Sequence, residues 1–116
     1  MKELFEEFIL ERKYQTNEVE ETLAALLELS DRQWHTYELL DNVIKNEVEN
    51  WIISKCKKES FNAIDLITLI IGRLGLVKAY EHVNSLLDED LANEIRATIQ
   101  ETVAELDGHV EDPWMK

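Results

Sequence analysis

The segment from residue 62 to residue 74 is apolar around most of a helical circumference. Its apolar residues are Ala63, Ile64, Leu66, Ile67, Leu69, Ile70, Ile71 and Leu74. A helix that is apolar nearly all round is buried, because none of its faces is suited to water. The rest of the chain must therefore surround this segment, and we predict that a buried helix at about 62–74 forms the centre of the fold.

Helices are also predicted for the remaining chain, because three glycines and one proline in 116 residues leave few helix breakers. Apolar residues recur at helical spacing in five further segments, at about 2–13, 18–29, 31–57, 76–87 and 90–106. We predict an all-α fold, a compact domain of six or seven antiparallel helices. A helical bundle and a short α-solenoid-like stack both fit this pattern. One all-helical domain is expected over residues 1–116, with an irregular C-terminal tail at 109–116. Trp114 in this tail either folds back onto the domain, which we favour, or is an exposed aromatic anchor.

Polar residues and glycines indicate where the helices begin and end. Ser30 with Gln33 has the spacing of a capping box, so we expect a helix to start there. Asp41 and Asn42 are weak helix formers, and residues 31–57 are either one helix or two. Gly75 follows the central apolar segment and is expected to end that helix in a left-handed conformation.

Motifs for catalysis, phosphate binding or metal binding are missing from the sequence. A ferritin-type centre needs Glu three residues before His, and no Glu precedes His35, His82 or His109 at that spacing. The segment starting at Asp88 departs from the EF-hand pattern after its third position, and no glycine-rich phosphate loop occurs. We predict that the protein is not an enzyme and binds no cofactor and no metal.

The single cysteine, Cys56, excludes an internal disulfide and fits a reducing compartment. Lysines at 55, 57 and 58 are placed to lower its pKa and activate it. The alternative is that Cys56 extends the apolar stripe through Val48 and Ile52, and we favour that structural role. The first residues lack the apolar core of a signal peptide, so a cytoplasmic location is expected.

The formal net charge is −13, from 25 acidic and 12 basic residues. Residues 59–116 hold twelve of the acidic but only four of the basic residues. This charge disfavours direct binding of nucleic acid or anionic membranes, since both require positive side chains. It favours a basic protein partner. We predict that the partner-binding residues are the acidic groups Glu18, Glu20, Glu21, Asp88, Glu89, Asp90 and Glu94. A further acidic stripe contains Glu3, Glu7 and Glu11.

Small acidic domains without catalytic motifs resemble bacterial immunity proteins, which neutralise a cognate toxin, often a nuclease. They are also similar to phage-encoded inhibitors that mimic nucleic acid. The resemblance lies in size, charge and absent chemistry, and it assigns no residues. We expect an inhibitor of a basic protein, most simply a toxin. The alternatives are a helical adaptor or homodimerising domain, and an enzyme with a carboxylate metal site.

Overall fold

The structure is a computed structural model and describes residues 2–12 and 19–113. Within these ranges the chain forms six α-helices and no β-strand. The helices are α1 (Lys2–Arg12), α2 (Val19–His35), α3 (Asn42–Lys55), α4 (Phe61–Leu74), α5 (Val77–Ser85) and α6 (Asn93–Leu106), with a 3-10 turn at Leu86–Asp88. The predicted all-α fold is confirmed. Glu18 and Trp114 lie outside the described residues, so their expected roles are not described.

Helix α4 occupies the centre of the fold, as predicted. Ile64, Ile67 and Ile71 have no exposed surface, and α4 packs most extensively against α2 and then against α6. The hydroxyl of Ser60 accepts a hydrogen bond from the backbone N–H of Ala63 at 3.2 Å and so begins the helix. Part of the surface of α4 is nevertheless exposed to solvent, since Leu69 on this helix is 42% exposed.

Gly75 ends α4 in the predicted left-handed conformation, with φ +68° and ψ +46°. A Cβ atom at this position would lie 3.0 Å from the carbonyl oxygen of Val110. The start of the C-terminal tail therefore packs against the end of α4. The indole Nε1 of Trp34 on α2 also donates a hydrogen bond to the carbonyl of Pro113, at 3.0 Å. These contacts attach residues 109–113, which form turns, to the helical body.

Helix α2 continues without interruption through Ser30, so the predicted helix start at that residue is wrong. Ser30 is fully buried, and its hydroxyl donates to the carbonyl of Leu26 at 2.7 Å. Gln33 is also buried and donates from Nε2 to the carbonyl of Glu38 at 2.7 Å. The Ser30 hydroxyl bonds within α2, because a hydroxyl that donates to the carbonyl four residues earlier fits a helix interior. The Gln33 amide donates to a carbonyl just beyond the end of α2.

Residues 31–57 are divided between two helices, the last turn of α2 and the whole of α3, with a non-helical segment at 36–41 between them. The Asp41 carboxylate accepts hydrogen bonds from the backbone N–H groups of Val43 (3.1 Å) and Ile44 (3.3 Å). These bonds satisfy donors that the first turn of α3 otherwise leaves unpaired. The connection from α2 therefore ends at Asp41, which caps the first turn of α3.

Helix α6 begins at Asn93, three residues later than predicted. The Arg96 guanidinium donates to the carbonyls of Leu87 and Glu89, each at 2.8 Å. These bonds hold the preceding segment in a turn, which ends α5 early and delays α6. The carboxylates of residues 88–90 therefore precede the helix, and Glu94 is the acidic residue in its first turn.

Helix α5 receives its N-terminal cap from a neighbouring helix. Leu76, at its N-cap position, provides no side-chain hydrogen bond. Glu49 on α3 is only 5% exposed, and its Oε2 accepts a hydrogen bond from the backbone N–H of Ala79 at 2.9 Å. A buried carboxylate at this end of a helix is stabilised by the hydrogen bond and by the helix dipole. Glu49 thus fixes α3 relative to α5.

Candidate acidic binding surfaces

One residue of each predicted acidic group contacts the connection between α3 and α4. The hydroxyl of Ser60 donates to Oε1 of Glu20 at 3.2 Å, and Nζ of Lys58 lies 2.7 Å from Oε1 of Glu89. The start of α2 and the segment before α6 therefore both contact this short connection. We use the name loop surface for the exposed, described residues of the two predicted groups, which are Glu20, Glu21, Asp88, Glu89, Asp90 and Glu94.

Basic side chains already compensate part of the loop surface. The pKa of Lys58 is raised, first by its hydrogen bond to Glu89 and then by the negative charges of Glu89, Glu59 and Asp90. Arg96 also lies here, bonded to backbone carbonyls rather than to carboxylates. The loop surface is therefore acidic, but two cations contribute to its structure.

Cys56 lies beside this surface and packs against the core. Burial raises the pKa of its thiol to about 11, and the charge of Glu59 adds to the effect. The three nearby lysines therefore do not produce a thiolate at neutral pH. This environment supports the structural interpretation of Cys56 over the reactive one.

A second acidic surface lies between α1 and α3, which pack together through Phe8 and Trp51. The two rings meet edge to face, with centroids 5.7 Å apart. Beside this contact the helices leave a groove of about 760 Å³. Its apolar lining residues are Ile9, Leu10, Val43 and Ile44, and its acidic ones are Glu3, Glu6, Glu7, Asp41 and Glu47. We call it the α1–α3 groove.

Two apolar side chains in the groove are unusually accessible. Leu10 on α1 is 68% exposed and Val43 on α3 is 67% exposed. An adjoining cavity of about 470 Å³ shares Glu3 and Asp41 with the groove and adds Leu39, which is 58% exposed. Exposed apolar side chains that line a concave surface are typical of a site that receives a ligand or partner.

Among the described side chains that line the α1–α3 groove, the ionisable ones are all acidic. Asp41 serves as the cap of α3, whereas Glu7 and Glu47 project from the two helices that form the walls. Carboxylates beside exposed apolar groups suit lysine and arginine, whose long apolar stems end in a positive charge. The predicted stripe contained Glu3 and Glu7, and the side chain of Glu11 lies outside the described residues. The facing residues of α3 were not foreseen.

Histidine and carboxylate side chains are common metal ligands in proteins. No group of three or more His, Cys, Asp or Glu side chains in this part of the chain is placed to hold a metal ion. His35 is exposed, and its Nδ1 is bonded to the backbone carbonyl of Asp31 at 2.7 Å.

None of the described helices combines the length and apolar character needed to cross a membrane.

Comparisons with protein families, with characterised proteins and with solved structures find no match for this chain. We therefore argue its function from the two acidic surfaces.

Proposed function

We propose that this protein is a small acidic binding protein that neutralises a basic protein partner by occupying the partner's positively charged site. Its most specific form is an immunity protein against a bacterial toxin, for example a nuclease whose positive site receives nucleic acid. The observation that supports this best is the α1–α3 groove, where carboxylates surround exposed apolar side chains. Such a surface offers both charge attraction and apolar burial to a partner.

Charge makes this mode of inhibition effective. A net charge of −13 attracts a basic protein over long distances and accelerates its encounter. A nuclease must present positive side chains to phosphate groups. An acidic domain competes directly for those side chains, and the competition requires no catalytic group in the inhibitor.

A helical adaptor or homodimerising domain is the second candidate. The exposed side chains of Leu10, Leu39 and Val43 favour it, because burial of such groups also drives self-association. In that case the acidity serves solubility. Light scattering on the purified protein tests the second candidate, since an oligomerising domain must self-associate without any partner and an inhibitor need not.

The test begins with affinity capture of the partner from the organism that produces this chain. The captured protein is then purified, and both its activity and its association with the acidic protein are measured. We expect stoichiometric loss of the partner's activity and an association rate that falls steeply as salt increases. Association that does not depend on salt would refute inhibition by charge.

A further inference from the structure

We propose that the α1–α3 groove receives an amphipathic basic helix of the partner, with apolar residues on one face and Lys or Arg along both edges. This inference rests on the proposed function and adds the contact surface and the chemistry of the segment bound. It also departs from the sequence prediction, which placed the contact on the loop surface.

The apolar floor of the groove requires apolar side chains from the occupant. Leu10 and Val43 lie on different helices, and both are about two-thirds exposed. Ile9 and Ile44 lie next to them in the sequence and connect the floor to the core. A ridge of apolar residues at helical spacing fills a groove of this kind, as amphipathic helices do in other binding proteins.

The carboxylates of Glu7 and Glu47 favour positive charge on both sides of that ridge. Glu7 lies on α1 and Glu47 on α3, so the occupant passes between carboxylates. Lys and Arg on the flanks of an amphipathic helix bury their stems against apolar surface and direct their charges to such carboxylates. A purely apolar helix leaves these carboxylates desolvated without partners, which disfavours its binding.

A second copy of this chain is a poor occupant by comparison. A symmetric dimer places the same patch of each subunit against itself. The carboxylates of the groove then face each other, and both chains carry a charge of −13. The charge therefore favours a basic partner of different sequence.

The size of the groove suits a short helix. The α1 wall has 11 residues and is roughly 16 Å long at about 1.5 Å per residue. About three helical turns of a partner match this length. The volume of about 760 Å³ is also large enough for several side chains.

The inference is tested with a synthetic Leu/Lys peptide of about four helical turns, in which Leu occupies one face. A control peptide has the same composition but an order that scatters Leu around the helix. Both are titrated against the 116-residue protein by fluorescence anisotropy, near physiological salt. We expect the amphipathic peptide to bind at least about tenfold more tightly, because it alone can bury its Leu residues together while pairing its Lys residues.

Matched variants show whether binding occurs in the groove. Val43→Ser removes an exposed apolar group from the floor, whereas Leu69→Ser does the same on α4, outside the groove. We expect Val43→Ser to weaken binding of the amphipathic peptide about tenfold and Leu69→Ser to leave it unchanged. Glu47→Gln is a second groove variant, expected to weaken binding without loss of apolar surface. Thermal melts establish that each variant is folded.

Equal binding of the two peptides, or equal effects of the two Ser variants, would overturn the groove assignment. Self-association that Val43→Ser abolishes would also overturn it, because a second copy would then be the occupant. The proposed function is tested separately by salt-dependent association with the basic partner. If that association is steep but unaffected by Val43→Ser and Glu47→Gln, the groove assignment fails and the proposed function stands. If no salt dependence exists, the proposed function itself fails.

Discussion

Replacing Glu49 with alanine removes the cap that α3 provides to α5. Glu49 is 5% exposed, and its Oε2 accepts a hydrogen bond from the N–H of Ala79 at 2.9 Å. No side chain at the N-cap position of α5 can substitute for it. In Glu49→Ala the N–H of Ala79 stays buried without an acceptor, and the helix dipole loses a nearby negative charge.

The magnitude follows from these two losses. An unsatisfied buried donor costs about 1–3 kcal/mol, and the lost dipole interaction adds roughly 0.3–1 kcal/mol. We expect Glu49→Ala to lower the free energy of unfolding by about 2–3 kcal/mol. With an unfolding entropy of about 2.1 cal/mol/K per residue, this corresponds to a decrease in Tm of roughly 10 °C. Glu49→Gln keeps a carbonyl acceptor, and its cost is below about 1 kcal/mol.

The assay is urea denaturation together with thermal melts, both followed by circular dichroism. Glu47→Ala is the control, since Glu47 lies on the same helix, is exposed and carries the same charge. It is expected to change the free energy of unfolding by less than about 0.5 kcal/mol. Equal destabilisation by Glu49→Ala and Glu47→Ala would refute the capping role of Glu49.

Two further predictions concern Gly75 and Cys56. Gly75→Ala should lower Tm more than Gly108→Ala. Both residues have positive φ, but only the new Cβ at position 75 meets a neighbouring carbonyl. Equal decreases in Tm would contradict this packing. Alkylation of Cys56 at pH 9 should be more than about tenfold slower in the native than in the urea-unfolded protein, because its pKa is raised to about 11 and the thiolate is the reactive form. The unfolded state then ionises first, so this thiol's contribution to stability is present below pH 9 and is lost as the pH rises towards 11. Equal alkylation rates would show that the thiol is not shielded.

The parts of the fold that the sequence predicted were those with a local cause. The apolar circumference of residues 62–74 requires burial wherever the helix is placed, and α4 is central. Gly75 ends that helix through its own backbone conformation. Asp41 caps α3 through N–H groups two and three residues ahead, so the break in 31–57 was visible as a possibility.

The parts that the sequence did not predict depend on tertiary contacts. Ser30 resembles a cap, but its burial and its bond to Leu26 keep α2 continuous. Arg96 delays α6 by binding carbonyls that precede it in the chain. The groove also depends on a tertiary contact. The stripe that includes Glu7 forms one wall, and Glu47 and Val43 form the other because α3 packs against α1.

The most direct test of the central claim compares two charge variants in their association with the basic partner. Glu7→Lys/Glu47→Lys alters the groove, and Asp88→Lys/Glu94→Lys alters the loop surface by the same net charge. Because the overall field changes equally, a difference between them locates the contact. Association rates are measured by stopped flow from about 0.02 to 0.5 M salt. We predict that the wild-type rate falls at least tenfold over this range and that the groove variant is the slower of the two at low salt. A rate independent of salt would contradict inhibition by charge, and a slower loop-surface variant would contradict binding in the groove.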